Sequence, residues 1–213
     1  MNTKELAKGA LSDLGPVRVS PVQARSTKRV ANLLDSTANY IQQFGYETLT
    51  TAVVAERGGA SIGTVYRYFP DRIALLQTLI GRHLQRAEAA VVQAVAGSKP
   101  LGAQGALEAV FDALVEMFRS EPGYRSIRVG DPLDIRPITS ERLGNQRLAQ
   151  LVIDALSDSF GVVLDSRGRL AIETSLEVAD SLLTKAFLRS ERGDKALIDE
   201  AKRVFQLVVS GVL

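Results

Sequence analysis

Residues 58–69 read GGASIGTVYRYF, and Pro70 follows them. Ser61 is suited to cap a helix, and Ile62, Val65, Tyr66 and Phe69 recur at i, i+3, i+4 and i+7. That spacing predicts a short helix over 62–69 with the stripe turned toward supporting elements. So short a helix cannot bury Tyr66, Arg67 and Tyr68 together with Val65 and Phe69, so some of those large side chains face outward. Pro70 cannot continue the helix without strain, and Asp71 is placed to cap the next one.

Upstream, Thr50 or Thr51 caps another short helix with an expected buried face of Ala52, Val53 and Val54, ended by Gly58-Gly59. These second and third helices occupy about 50–69. Before them, Ser20-Pro21-Val22-Gln23 opens a first helix. Its apolar residues Val30, Leu33, Leu34, Ile41 and Phe44 are helically spaced, and it stops at Gly45. Downstream, 72–96 forms a helix about 37 Å long. Two short helices joined by a Gly turn and braced by a longer one describe a helix-turn-helix, whose second helix enters the DNA major groove.

On that reading Ile62, Val65 and Phe69 face the support, and Gly63, Thr64, Arg67 and Tyr68 project outward. Arg67 can reach guanine O6 and N7, or a phosphate. The hydroxyls of Ser61, Thr64, Tyr66 and Tyr68 can bond phosphates, which sets register without reading sequence. Gly63 keeps the leading edge thin, and Arg72 adds charge to a helix start that already favours phosphate. Tyr66 can serve both sides, with its ring at the core edge and its hydroxyl outward. A winged-helix reader would need a hairpin after Phe69, where the chain instead runs DRIALLQTLIGRHLQ.

Charge supports the assignment. Residues 1–75 carry a net +3 and the remainder a net −1. Between Asp13 and Asp35 stand Arg18, Arg25, Lys28 and Arg29 with no acid among them. Arg25 and Lys28 therefore join the candidate DNA contacts, although a merely solvated basic stretch has the same composition.

Within the 213 residues there is no cysteine, which removes disulfides and thiolate metal sites. His83 is the one histidine, and Glu88 is five positions on. Glu173, Glu177 and Asp180 share a helix face that solvation explains. Neither GxGxxG nor GxxxxGK[ST] occurs, so no catalytic residue, metal or cofactor is expected. The N-terminus has no apolar leader region and no run approaches the ~18 apolar residues of a membrane span. A soluble, cytoplasmic protein is the expectation.

Helix, GYETLT, short helix and GASIGTVYRYFPDRxxLL over roughly 24–76 resemble the DNA-binding region of TetR-family transcriptional repressors. The resemblance implies DNA contacts at Tyr66, at Tyr68, at the cation Arg72, and at Thr50 and Thr51. Arg67 occupies a variable position of the family. The resemblance further implies a repressor released from a two-half-site operator by a small-molecule effector, with the long fourth helix transmitting the change. An all-helical ligand- or partner-binding module without operator binding is the alternative.

The rest of the chain reads as helices broken by GSKPLGAQG (97–105), GDPLDIRP (130–137), GVVLDSRG and RGD, giving an all-α protein of about nine helices. The expected organisation is a mobile tail over 1–19, a helix-turn-helix domain over 20–75, and a ligand-binding and dimerisation domain over 76–213. A single reading helix covers few base pairs, so a homodimer is expected. Its seam is placed on the last two helices, at Leu176, Ala179, Leu183, Phe205 and Val208. The same stripes could instead face their own core. Pocket candidates are Phe111, Met117, Phe118, Tyr124, Arg128, Phe160 and Phe187, each also explicable as core packing. Arg125, Arg128 and Arg136 could hold an anion, or pair with Asp131 and Asp134.

Overall fold

Caps and glycines punctuate this chain at nearly every helix end. A computed structural model describes residues 24–130 and 140–211, with side chains over 26–129 and 145–211. The tail 1–19, the start at Ser20, the Arg25 side chain, and Asp131, Asp134 and Arg136 lie outside the described residues. Among the described residues there are nine α-helices, one 3-10 turn and no strand. The helices are α1 (Ala24–Phe44), α2 (Thr51–Arg57), α3 (Ile62–Tyr68), α4 (Arg72–Gly97) and α5 (Gly102–Ser120). They continue with α6 (Tyr124–Gly130), α7 (Ser140–Phe160), α8 (Ser166–Arg189) and α9 (Lys195–Val209). No helix among the described residues is long and apolar enough to cross a membrane.

Helix boundaries follow side-chain chemistry. The Thr50 hydroxyl accepts from Val53 N, Ser61 from Thr64 N, and Asp71 from Ala74 N, which satisfies amides that helix starts leave orphaned. Asp165 caps α8 by accepting from Gly168 N at 2.8 Å, so that helix begins three residues before the expected 169. Likewise α5 claims the end of the Gly-rich connector after a 3-10 turn at Lys99–Leu101.

The chain divides into two compact units, and α4 contributes to both: its residues to Gln85 belong to the first and those from Arg86 to the second. Among the described residues, the first unit comprises 24–85 together with 122–130. Its core gathers Val30, Leu33, Leu34 and Ile41 from α1, Val54 and Ala55 from α2, and Val65, Tyr68 and Phe69 from α3 and its cap. Leu75, Leu76 and Leu79 of α4 and Ile127 of α6 complete it. Each large side chain so buried stabilises by about 1.5–3 kcal/mol. The turn before α6 comes against α1 at Gly123, where an added Cβ would stand 2.9 Å from the Ala38 carbonyl oxygen. With φ +74° as well, that position suits glycine alone. The buried His83 donates through Nε2 to the Pro122 carbonyl at 3.1 Å and meets the Tyr124 ring edge-on. Arg82 reaches Asp35 at 2.6 Å and the Leu34 carbonyl at 3.2 Å, tying α4 to α1.

Two expected faces are rotated. In α2 the buried residues are Val54 and Ala55, while Ala52 is exposed and Val53 half-buried. Phe44, expected in the core, is 46% exposed. Its ring lies 4.9 Å from that of Tyr40, and the Arg57 guanidinium covers both. The cation offers that ring a surface contact in place of burial.

In the second unit α8 and α9 pack along each other. Phe118 of α5 stacks on Phe187 of α8 at 4.9 Å and 14°, and Phe111 meets Phe205 of α9 at 5.6 Å. Lys202 closes the edge on Asp112 at 2.8 Å. Four of the residues expected at the subunit seam pack inside this single chain. Leu176, Ala179, Leu183 and Phe205 are at most 2% exposed within the single chain, so they form its own core. Val208 is half-buried. Of the pocket candidates, Phe111, Met117, Phe118 and Phe187 are buried in this unit and Phe160 is half-buried. Tyr124 and Arg128 belong to the first unit.

Candidate nucleic-acid interface

The geometry of the short helices begins with the turn between them. Gly59 adopts φ +58°, and at Gly58 an added Cβ would stand 2.8 Å from Leu33 Cδ2 and 2.9 Å from the Val54 carbonyl. The chain therefore reverses tightly against α1, and α3 leaves the turn with one face toward the core. That face is Val65, Tyr68 and Phe69, exposed by 0%, 5% and 0%.

Tyr68 was expected to project outward and does not. Its ring is in the core, and its hydroxyl bonds the Ser26 hydroxyl of α1 at 3.0 Å. Ile62 was expected inside and is 43% exposed. Both corrections have one cause. A two-turn helix offers overlapping apolar stripes that share Val65 and Phe69, and α1 supplies a polar partner that allows the phenol to be buried.

The outward surface holds Ser61, Gly63, Tyr66 and Arg67, all exposed, with Thr64 half-exposed beside them. Arg67 lies with its guanidinium carbon 5.9 Å from the Tyr68 ring centre and forms no ion pair with any described residue. Thr51 donates to the Tyr66 hydroxyl at 3.2 Å, linking the start of α2 to α3 and leaving the phenolic proton to point elsewhere. Ser61 and Thr64 share a 2.9 Å hydroxyl contact. Thr50 is exposed at the α2 start.

Arg72 is half-buried and donates to the Glu47 carbonyl at 3.2 Å, so its first role is to hold the loop ahead of α2. A guanidinium has five donors, and that bond uses one. Lys28 and Arg29 are exposed on the first turns of α1, and Arg29 approaches the Gly59 carbonyl at 3.5 Å.

These groups make a surface of guanidinium, ammonium and hydroxyl donors on small, firmly seated helices. Such a surface can bond phosphate oxygens and present one arginine to base edges. Arg29, which the sequence marks only as part of the basic stretch, joins this surface together with Ser26, and no local pattern marks a serine whose partner is forty-two positions away. Among the described residues no cluster of His, Cys, Asp and Glu could hold a metal.

Comparison with known proteins gives two family matches. Residues 33–79 match the family described as bacterial regulatory proteins, tetR family, and residues 101–207 match the tetracyclin repressor-like C-terminal domain. The chain is similar to the HTH-type transcriptional repressor KstR of Mycolicibacterium smegmatis, at 38% identity over 90 residues, 42% of this chain and 41% of that protein. The namesake from Mycobacterium tuberculosis is 38% identical over 92 residues, 43% and 39% of the two chains. The match thus spans about two fifths of the length of these curated relatives. Among solved structures, a TetR-family transcriptional regulator from Streptomyces coelicolor superposes with a TM-score of 0.70 at 30% identity, covering 87% of this chain and 99% of that one. The fatty acid degradation regulator FadR from Bacillus halodurans shares the fold, with a TM-score of 0.61, 18% identity, and 85% and 94% coverage.

Proposed function

The chain belongs to the TetR family of bacterial regulatory proteins, and on that premise we propose that it is a sequence-specific DNA-binding repressor released by a small molecule. The observation that carries the reading is the division of α3. Val65, Tyr68 and Phe69 seat it, while Gly63, Tyr66 and Arg67 face outward. Thr50, Thr51, Ser61, Thr64, Tyr66, Arg72 and the α1 cations position the duplex through phosphates, and Arg67 reads base edges. Tyr68 acts from inside.

Two copies are needed to read two half-sites. The half-buried apolar flank of α8 and α9, Val178, Leu182, Val204 and Val208, is the seam this reading assigns to the homodimer. The effector is a mainly apolar small molecule accommodated in the second unit, whose interior is lined by Phe111, Phe118 and Phe187.

The test is a gel shift with the DNA flanking its own gene, at two salt concentrations and with competitor DNA. Retention against competitor and a steep fall of affinity with salt support the reading through counterion release. A flat salt response or no shift refutes it and favours a helical module that binds no operator. Arg67→Ala should cost about 1–3 kcal/mol of binding at one base position and leave Tm unchanged.

A further inference from the structure

We infer that Ser26 is a positioning residue for DNA binding: its hydroxyl, bonded to the Tyr68 phenol, holds the adjoining segment of α1, with Lys28 and Arg29, in register with α3. The inference rests on the operator reading above.

The geometry supplies a fixed point and a part that must be held to it. Tyr68 is 5% exposed and its ring packs in the core of the first unit, so its hydroxyl has a set position. Ser26 meets it at 3.0 Å in a partly buried contact. Along α1, Val30 is the first fully buried side chain among the described residues. Ser26 and Thr27 are half-buried before it, and Lys28 and Arg29 are exposed. A helical stretch without a fully buried side chain is held by the few side-chain contacts it makes. The contact from Arg29 to the Gly59 carbonyl, at 3.5 Å, is at the outer limit of a hydrogen bond. The Ser26–Tyr68 bond is shorter and less exposed, and it ties α1 to the reading helix itself, ahead of the apolar contacts that begin at Val30. The Arg67 guanidinium stands over the same Tyr68 ring. One buried phenol therefore sets the place of a base-reading cation on α3 and, through Ser26, of phosphate-binding cations on α1.

The consequence is specific. Ser26→Ala and Tyr68→Phe each remove one hydroxyl and leave the apolar packing and the ring beneath Arg67. Each should weaken binding to the DNA flanking the gene by roughly three- to tenfold, the scale of one hydrogen bond. The double variant should lose no more than either single one, and Ser26→Thr, which keeps a hydroxyl, should restore binding. The loss should be uniform across operator sequence variants, and the log–log salt slope should become shallower by about one for each displaced phosphate contact. A merely structural serine would leave that slope unchanged.

Amide hydrogen exchange of the DNA-free protein provides the independent measurement. In Ser26→Ala, exchange over Lys28–Leu33 should accelerate while the Leu75–Leu79 amides keep their protection. Unchanged exchange overturns the link itself. Faster exchange with wild-type affinity and slope overturns the positioning role. If the wild type shows no salt-dependent shift, the operator reading fails, while exchange still reports whether the two hydroxyls hold α1.

Discussion

Gly63 separates the demands of folding from those of binding, so Gly63→Ala is the most informative single change. The residue is exposed and helical, and an added Cβ would meet nothing within 4 Å except Ser61 Oγ, at 3.9 Å. In the free protein the methyl group is sterically free, and it removes backbone entropy from the unfolded chain. Substitutions of this kind stabilise by about 0.4–1 kcal/mol. For a chain of this length that raises Tm by about 1–4 °C. If α3 lies in the groove with its leading edge against DNA, the same methyl group meets a surface that does not yield. Overpacking costs about 1–3 kcal/mol, a roughly five- to 150-fold weaker complex. Stability and affinity should therefore move in opposite directions. Differential scanning calorimetry measures the first and fluorescence anisotropy with a labelled operator duplex the second. Equal or tighter binding by a more stable variant would show that Gly63 does not approach DNA. A lowered Tm would show that the backbone there is not free to accept a side chain.

Three further outcomes follow from packing. Gly123→Ala forces a Cβ toward the Ala38 carbonyl at a left-handed backbone position and should cost about 1–3 kcal/mol, read as a lowered denaturant midpoint at unchanged m. Phe118→Ala removes the ring stacked on Phe187 and should cost about 3–5 kcal/mol in the same assay. Val208→Glu places a charge on the half-buried flank of α9 and should convert dimers to monomers in sedimentation velocity, with helical circular dichroism retained; an unchanged sedimentation coefficient would move the seam elsewhere.

Much of the fold is legible because helix ends are written in local chemistry. Thr50, Ser61 and Asp71 cap where their side chains reach the third amide on, and Gly58-Gly59 reverses the chain where a Cβ would clash at the first and the backbone is left-handed at the second. Faces are less legible. Periodicity says that one side of a helix is buried and does not say against what. In α3 the choice between Tyr66 and Tyr68 as the inward ring depends on Ser26, which lies far away in sequence. In α8 and α9 the pattern leaves open whether a second copy or the same chain covers the stripes, and Leu176, Ala179, Leu183 and Phe205 are covered within the chain. Arg72 likewise reads as a cation at a helix start, and only the folded loop shows the Glu47 carbonyl that occupies it.

The first unit also has a consequence for how the protein is made. It is discontinuous along the chain: Ile127 completes a core begun by α1, Gly123 closes against Ala38, and both are synthesised more than fifty positions after α4 has started. On a ribosome the helix-turn-helix is finished in sequence long before it is finished in space. Until α6 emerges, the nascent segment exposes the apolar surface that Ile127 will cover and lacks the Pro122 carbonyl that takes up His83. Premature termination anywhere between Gln85 and Pro122 would therefore yield a polypeptide that carries every residue proposed to contact DNA on an incomplete support. Such a fragment should be cleared by proteases before it competes for DNA.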